Sequence, residues 1–227
     1  MVEDMTAFRK VYSRLRICVW KHYRKRINRK NTLRLVNGNV SILSMNCTGG
    51  ILYHDLGLRF LSPTINLYMQ AEDFIKFCES LPYYLSIDQM TECTNPAIKG
   101  NRVYPVAYLG DIKLFLVHYS SVKQAQKKWN ERKQRIEKNS IVVIATDRDG
   151  MTDALKDRFE RLPYSKVMFA HKQDKKHPSC FYLKGYEQDD SVGIVTDPIG
   201  WRGLPPIDQF DYISFFNKAV HMENGES

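Results

Sequence analysis

No run in this sequence approaches the roughly 18 to 20 consecutive apolar residues that a membrane-spanning helix needs. Its opening residues lack the apolar stretch and small-residue cleavage site of a secretory leader, so a cytoplasmic protein is expected. Cysteine is scarce and poorly spaced for structural use. Cys18, Cys47, Cys78, Cys93 and Cys180 are odd in number, with no C-x-x-C pair and no histidines at zinc-finger intervals. That argues against a disulfide scaffold and for reduced thiols. Internal repeats and low-complexity tracts are missing as well, which excludes collagen-like sequence. What is present is 43% hydrophobic and 26% charged residues over 227 positions, a composition that supports one folded domain with an appendage.

The formal charge of +9 would, if evenly spread, hint at nucleic acid. It is not evenly spread. Eleven basic residues lie between Met1 and Leu35 against Glu3 and Asp4, which leaves 23 basic and 23 acidic groups in the remainder. The chain therefore divides into a basic arm, residues 1–35, and a neutral domain, residues 36–227. In the arm Phe8, Val11, Tyr12, Leu15, Val19, Trp20, Tyr23 and Ile27 recur at steps of three and four, with the basic residues largely elsewhere on the wheel. Two roles are open for this amphipathic helix. It lies in an anionic membrane surface, with Trp20 among the headgroups and Arg9, Lys10, Lys21, Arg24 and Lys25 on acidic lipid, or it packs on the domain with its basic face in water. Nucleic acid is not an expected partner, because no reading module follows the arm.

In the domain, Val40–Ser44 reads as a buried strand that runs into Asn46-Cys47-Thr48-Gly49-Gly50. Residues 71–81 have helical spacing, Val103–Leu109 and Lys113–His118 read as a hairpin about Gly110-Asp111, and Ser121 caps a helix reaching about Lys138. Ile141–Ala145 is the clearest strand, followed by Asp147-Arg148-Asp149-Gly150, a helix over 152–162 and a strand over 166–170. Strand, polar loop, helix, strand predicts an α/β domain with a partly parallel sheet, whose ligands bind beyond the carboxyl ends of its strands.

Three constellations follow from that rule. Cys47 stands between a strand and a helix, where backbone amides lower a thiol's pKa. With His118 as base, or His54 as the nearer second choice, and Asp147 or Asp111 as orienter, it makes a nucleophile set, with Asn46 as oxyanion donor beside Gly49 and Gly50. A small buried cysteine and a core histidine account for the same residues. Asp147 and Asp149 at a strand end could hold a divalent cation against a sugar nucleotide, with Arg148 between them, although helix capping also explains them. Trp129, Arg132 and Arg135 share a helix face that could grip phosphate or sugar, and Trp201 in the Asp197–Gly203 loop could stack on a sugar.

The run Ser41–Gly50, with Tyr53, Leu56-Gly57-Leu58, Ser62-Pro63-Thr64 and Asp73-Phe74-Ile75-Lys76, resembles a bacterial family labelled exopolysaccharide biosynthesis proteins, a domain of unknown function. His118-Tyr119, Ala125, Trp129, Arg132, Arg135-Ile136, Asp147–Gly150 and Leu162-Pro163-Tyr164 continue the resemblance, over roughly residues 40–170. Thr48 departs from the aromatic residue the family often carries after its cysteine. A looser similarity, through Cys47, Leu58-Arg59, Ser62-Pro63, His118, Arg132 and Arg135, is to a family described as papain-like cysteine peptidases. The first resemblance implies a role in capsule, exopolysaccharide or other surface-glycan assembly. The expected activity is acyl or glycosyl transfer on a glycan or lipid-linked glycan precursor at the inner face of the plasma membrane, with Cys47 and His118 as the reacting pair. Substrate contacts are expected from Gly49, Gly50, His54, Ser62, Trp129, Arg132, Arg148, Asp149 and Trp201. Its rivals are a glycosyltransferase using a divalent metal and a sugar nucleotide through Asp147 and Asp149, and a non-catalytic assembly protein for glycan enzymes.

Overall fold

A computed structural model describes residues 20–36, 38–99, 102–198 and 204–221. Its centre is a four-stranded, wholly parallel sheet of β1 (Ser41–Ser44), β7 (Ile141–Thr146), β8 (Ser165–Ala170) and β9 (Cys180–Tyr182), ordered β1-β7-β8-β9. Strands buried on both faces read as unbroken apolar runs, and β7 is buried at every position. Alternate residues feed two cores. Leu43, Val143 and Ala145 face one side, with Phe74 and Phe77 of α3 (Ala71–Glu79), Trp129 of α5 (Val122–Lys133) and Phe159 of α6 (Asp153–Glu160). Ile42, Val142 and Ile144 face the other, with Leu52 and Tyr53 of α2 (Thr48–Asp55) and Ile213 and Phe216 of α7 (Tyr212–His221). The fold is thus the expected α/β layering.

The expected Ser121 cap holds α5, whereas α6 is capped by Thr152 and not by Asp147. The Ser121 and Thr152 hydroxyls accept the Gln124 and Leu155 amides, meeting donors the first turn leaves unpaired. Helix α3 stops at Glu79, and Leu81–Ser86 forms the short α4, with Pro82 in its first turn. The expected hairpin is more divided than its sequence suggests. A small antiparallel sheet pairs β2 (Thr91–Glu92), β5 (Val106–Leu109) and β6 (Ile112–Phe115), while β3 (Ala97–Lys99) and β4 (Arg102–Tyr104) make a separate ribbon. Residues 65–70 tie the two sheets together: Tyr68 and Phe115 exchange backbone bonds, and the Met69 amide bonds to Met45 just beyond β1.

Residues 20–34 form a helix, α1, joined firmly to the domain. Arg24, 8% exposed, bridges Asp55 and Asp208, and Asn31 donates to the Tyr212 hydroxyl at 2.7 Å. The packed arrangement therefore holds for this part of the arm. Arg24 is not available to lipid, and Trp20 is half-buried, whereas Lys21 and Lys25 are exposed. Arg9 and Lys10 lie outside the described residues. Among the described residues no helix is long and apolar enough to cross a membrane.

Candidate functional site

Parallel pairing of β1 with β7 places the segments after both strands at one edge of the sheet. There a pocket of about 460 Å³ opens. Asn46, Cys47, Thr48 and Ile51 supply one wall, Arg148 and Asp149 another, and Gly193–Asp197 a third. Tyr68 and Val117-His118 close it from the side of the small sheet, and Tyr104 from the β3–β4 ribbon. His118 reaches the pocket because its amide is bonded to the Asn66 carbonyl, in the segment linking the two sheets. Cys47 and His118, separated by 71 positions in the sequence, thus line one pocket.

Cys47 occupies the N-cap position of α2 without capping it through its side chain. Asn46 caps the helix in its place. Its Oδ1 accepts the Thr48 amide at 3.1 Å and the Thr48 hydroxyl at 2.6 Å, while its Nδ2 donates to Thr146. Asn46 thus fastens the first turn of α2 through its Oδ1, and it also lines the pocket. Burial pushes the Cys47 thiol above its ordinary value, opposite to the expected lowering. The sulfur therefore stands as a neutral S–H that needs a base, and His118 is the imidazole that shares its pocket.

Of the two glycines after Cys47, Gly49 serves packing. A Cβ on Gly49 would stand 3.0 Å from Ser44 Cβ and 3.1 Å from Ile42 Cγ2, so only glycine lets α2 lie this close to β1. A Cβ on Gly50 would meet Ile65 at 3.4 Å, an ordinary contact, so packing makes no such demand there. His54 is at the far end of α2 with its side chain 85% exposed and cannot serve Cys47. Ser62 is fully buried, bonded to Thr64, and outside the pocket.

Asp147 does not orient His118. Its Oδ2 accepts both the His171 amide, at 2.7 Å, and His171 Nδ1, at 2.5 Å. Its Oδ1 accepts the Val192 amide at 2.8 Å. Both Asp147 oxygens are thus engaged by N–H donors, and Asp149 is paired with Arg148 at 3.1 Å, so each carboxylate has protein partners of its own. Asp147 instead anchors the start of the 193–197 wall. Asp111, the alternative orienter, is bonded to Lys76 of α3 and Tyr84 of α4 and does not line the pocket. Asp149 has φ of 57°, a left-handed geometry that aspartate tolerates better than most residues, and its carbonyl accepts the Ala71 amide at the start of α3.

The helix face carrying Trp129 and Arg132 turns inward. Trp129 is 1% exposed and packs edge-on against Phe77, so its ring cannot meet a substrate. Arg132 is buried, donating to the Tyr119 hydroxyl at 2.8 Å over the Phe60 ring, which makes it a brace beneath the segment that carries His118. Trp201 lies outside the described residues. Sequence reasoning missed Tyr68, Tyr104, residues 193–196 and His171, while Asp197 opens the 197–203 loop that the sequence singles out. His171 alone had a usable signal, since it follows the strand over 166–170 directly and strand ends are where this fold gathers polar groups.

A family described as a domain of unknown function, DUF1919, matches residues 18–217, and the chain belongs to that family. The match begins within the arm and takes in all of α1, in keeping with the bonds that join this helix to the domain. The chain is also 34% identical, over 211 residues, to an uncharacterized protein of Haemophilus influenzae. That alignment covers 92% of this chain and 98% of the relative.

Proposed function

We propose that this member of the DUF1919 family is a group-transferring enzyme of surface-polysaccharide biosynthesis, with Cys47 as nucleophile and His118 as its base. The observation that carries the reading is the common pocket: Cys47, which follows β1 and starts α2, and His118, which follows β6, both line it. The neutral thiol gives its proton to His118. The sulfur then attacks an acyl or glycosyl carbon of the donor, the leaving group departs with the proton held by His118, and an acceptor hydroxyl takes the group from sulfur while its proton returns through His118 to the thiolate. Arg148, Asp149, Tyr68 and Tyr104 offer the ionic, hydrogen-bonding and aromatic surfaces a glycan or lipid-linked glycan precursor requires. The glycan assignment itself rests on the resemblance carried by Ser41–Gly50.

Residues 20–34 add a location. Lys21, Lys25, Arg26, Arg29 and Lys30 are exposed on α1, a helix without a single acidic residue, and this surface suits the anionic inner face of a plasma membrane. The metal-dependent alternative is less well supported, because Asp147 already accepts three N–H donors of the protein. The test is complementation in a strain lacking the gene. Wild-type protein is expected to restore the surface glycan, while Cys47→Ala and His118→Ala, folded and expressed, are not. Restoration by Cys47→Ala removes the thiol mechanism, and an unaltered glycan in the deletion strain removes the pathway.

A further inference from the structure

Between β8 and β9 the chain passes from one parallel strand to the next without a helix. Residues 171–179 instead lie beside α6, gathered around one buried imidazole. Asp174, His177 and Cys180 recur at every third position, and one ligand-type atom from each lies within 4.8 Å of the others. His177 is 2% exposed. Its Nδ1 faces Asp174 Oδ2 at 2.7 Å, and its Nε2 faces Asp157 Oδ1 of α6 at 3.1 Å. The second oxygen of Asp174 accepts the Lys176 and His177 amides, which fixes the carboxylate with Oδ2 toward the ring. Among the described residues the Cys180 sulfur makes no hydrogen bond. None of these residues lines the Cys47 pocket.

We propose that Asp174, His177 and Cys180 bind a divalent cation of the zinc class and so pin the crossover to α6. The donor set decides the metal: one sulfur, one imidazole nitrogen and one carboxylate oxygen suit zinc or cobalt, whereas calcium and magnesium take oxygen. The ring is already arranged as ligating histidines are. With Nδ1 turned to the cation, Nε2–H donates to the Asp157 carboxylate, which fixes the tautomer and the ring plane. On binding, the Cys180 S–H proton leaves to solvent and a sulfur–metal bond replaces it. A carboxylate and a thiolate then balance the two charges of the ion, and water completes a tetrahedron.

Lys156 competes for this place. Its ammonium stands 3.1 Å from Asp174 and 3.3 Å from the exposed Asp153, so an entering cation leaves it paired with Asp153. That competition gives a test that a purely hydrogen-bonded cluster does not pass. Cobalt(II) titrated into the full-length protein is expected to saturate at one equivalent, with tetrahedral visible bands and a near-ultraviolet sulfur-to-cobalt band. Zinc is expected to displace it and raise the unfolding temperature. Cys180→Ser is expected to remove the sulfur band and weaken binding about tenfold or more. Lys156→Met is expected to tighten it. No cobalt spectrum, or a sulfur band that survives Cys180→Ser, overturns the proposal. If Cys180→Ser does not fold, Lys156→Met decides alone, and unchanged cobalt affinity in that variant overturns the proposal.

Discussion

Arg24 joins Asp55 to Asp208 across three distant parts of the chain: Nε and Nη2 donate to Asp55 at 2.9 and 2.6 Å, and Nη1 to both oxygens of Asp208 at 2.7 Å. The three side chains are only 9%, 14% and 18% exposed. Removing the guanidinium would leave two poorly solvated carboxylates facing one another. Arg24→Ala is therefore expected to cost about 3–5 kcal/mol in urea unfolding. Arg34 and Asp211, whose pair at 2.5 Å is half in water, provide the control. Arg34→Ala is expected to cost less than about 1 kcal/mol. Equal losses would mean that α1 is held by its apolar contacts alone.

Gly49 makes a second stability prediction. Its missing side chain leaves room for Ser44 and Ile42, both part of β1 and unable to retreat without moving the sheet. Gly49→Ala is expected to destabilise by about 1–3 kcal/mol despite the better helix propensity of alanine. A stabilised variant in thermal or urea unfolding would show that α2 can slide outward freely, and that the glycine answers to ligand approach instead.

Asp147 accepts three N–H donors, two from His171 and one from Val192. Asp147→Asn keeps the shape but exchanges an acceptor oxygen for an amide that opposes one of those donors. The expected loss is about 1–3 kcal/mol. The sharper readout is local: amides 192–197 should exchange hydrogen faster in the variant while those of β7 stay protected. Uniform protection would detach Asp147 from the pocket wall.

How far the sequence can be read depends on whether a feature is local. The run Ile141–Ala145 announces a strand buried on both faces, and Ser121 and Thr152 announce helix starts, because each signal lies within a few residues of its effect. The spacing of Trp129 and Arg132 places them on one helix face, yet spacing says only that residues share a face, not whether it turns inward. Strand β9 is three half-buried residues at a sheet edge and carries no periodic signature. Cys47 and His118 can be paired from the sequence because each follows a strand, whereas Tyr68, Tyr104 and residues 193–197 join the pocket through contacts across many tens of residues that no local pattern encodes. The acid expected to orient His118, Asp147, belongs to His171 for the same reason.

The thiol of Cys47 should reveal its protonation through alkylation. Burial raises its pKa, and an acid with a raised pKa stays protonated to higher pH, so the thiolate is scarce at neutrality. Iodoacetamide labelling of Cys47, followed by peptide mass spectrometry, is expected to rise with a midpoint above the roughly 8.5 of a free thiol. A midpoint below neutrality would replace proton transfer on substrate binding with a thiolate–imidazolium pair already formed in the free protein.

Membrane attachment should follow the exposed cations of α1 rather than the helix as a whole. Deleting residues 1–35 is a poor test, since it also removes Arg24 from Asp55 and Asp208. Replacing Lys21, Lys25, Arg26, Arg29 and Lys30 with glutamine leaves the Arg24 and Arg34 bridges in place. At about 1 kcal/mol per basic residue near an acidic surface, the five together should weaken sedimentation with phosphatidylserine vesicles at least tenfold. Wild-type binding should itself fall as salt shortens the range of the attraction. If the glutamine variant sediments as well as wild type, these five cations do not hold the protein at the membrane, and α1 serves only to close the face of the domain formed by α2 and α7.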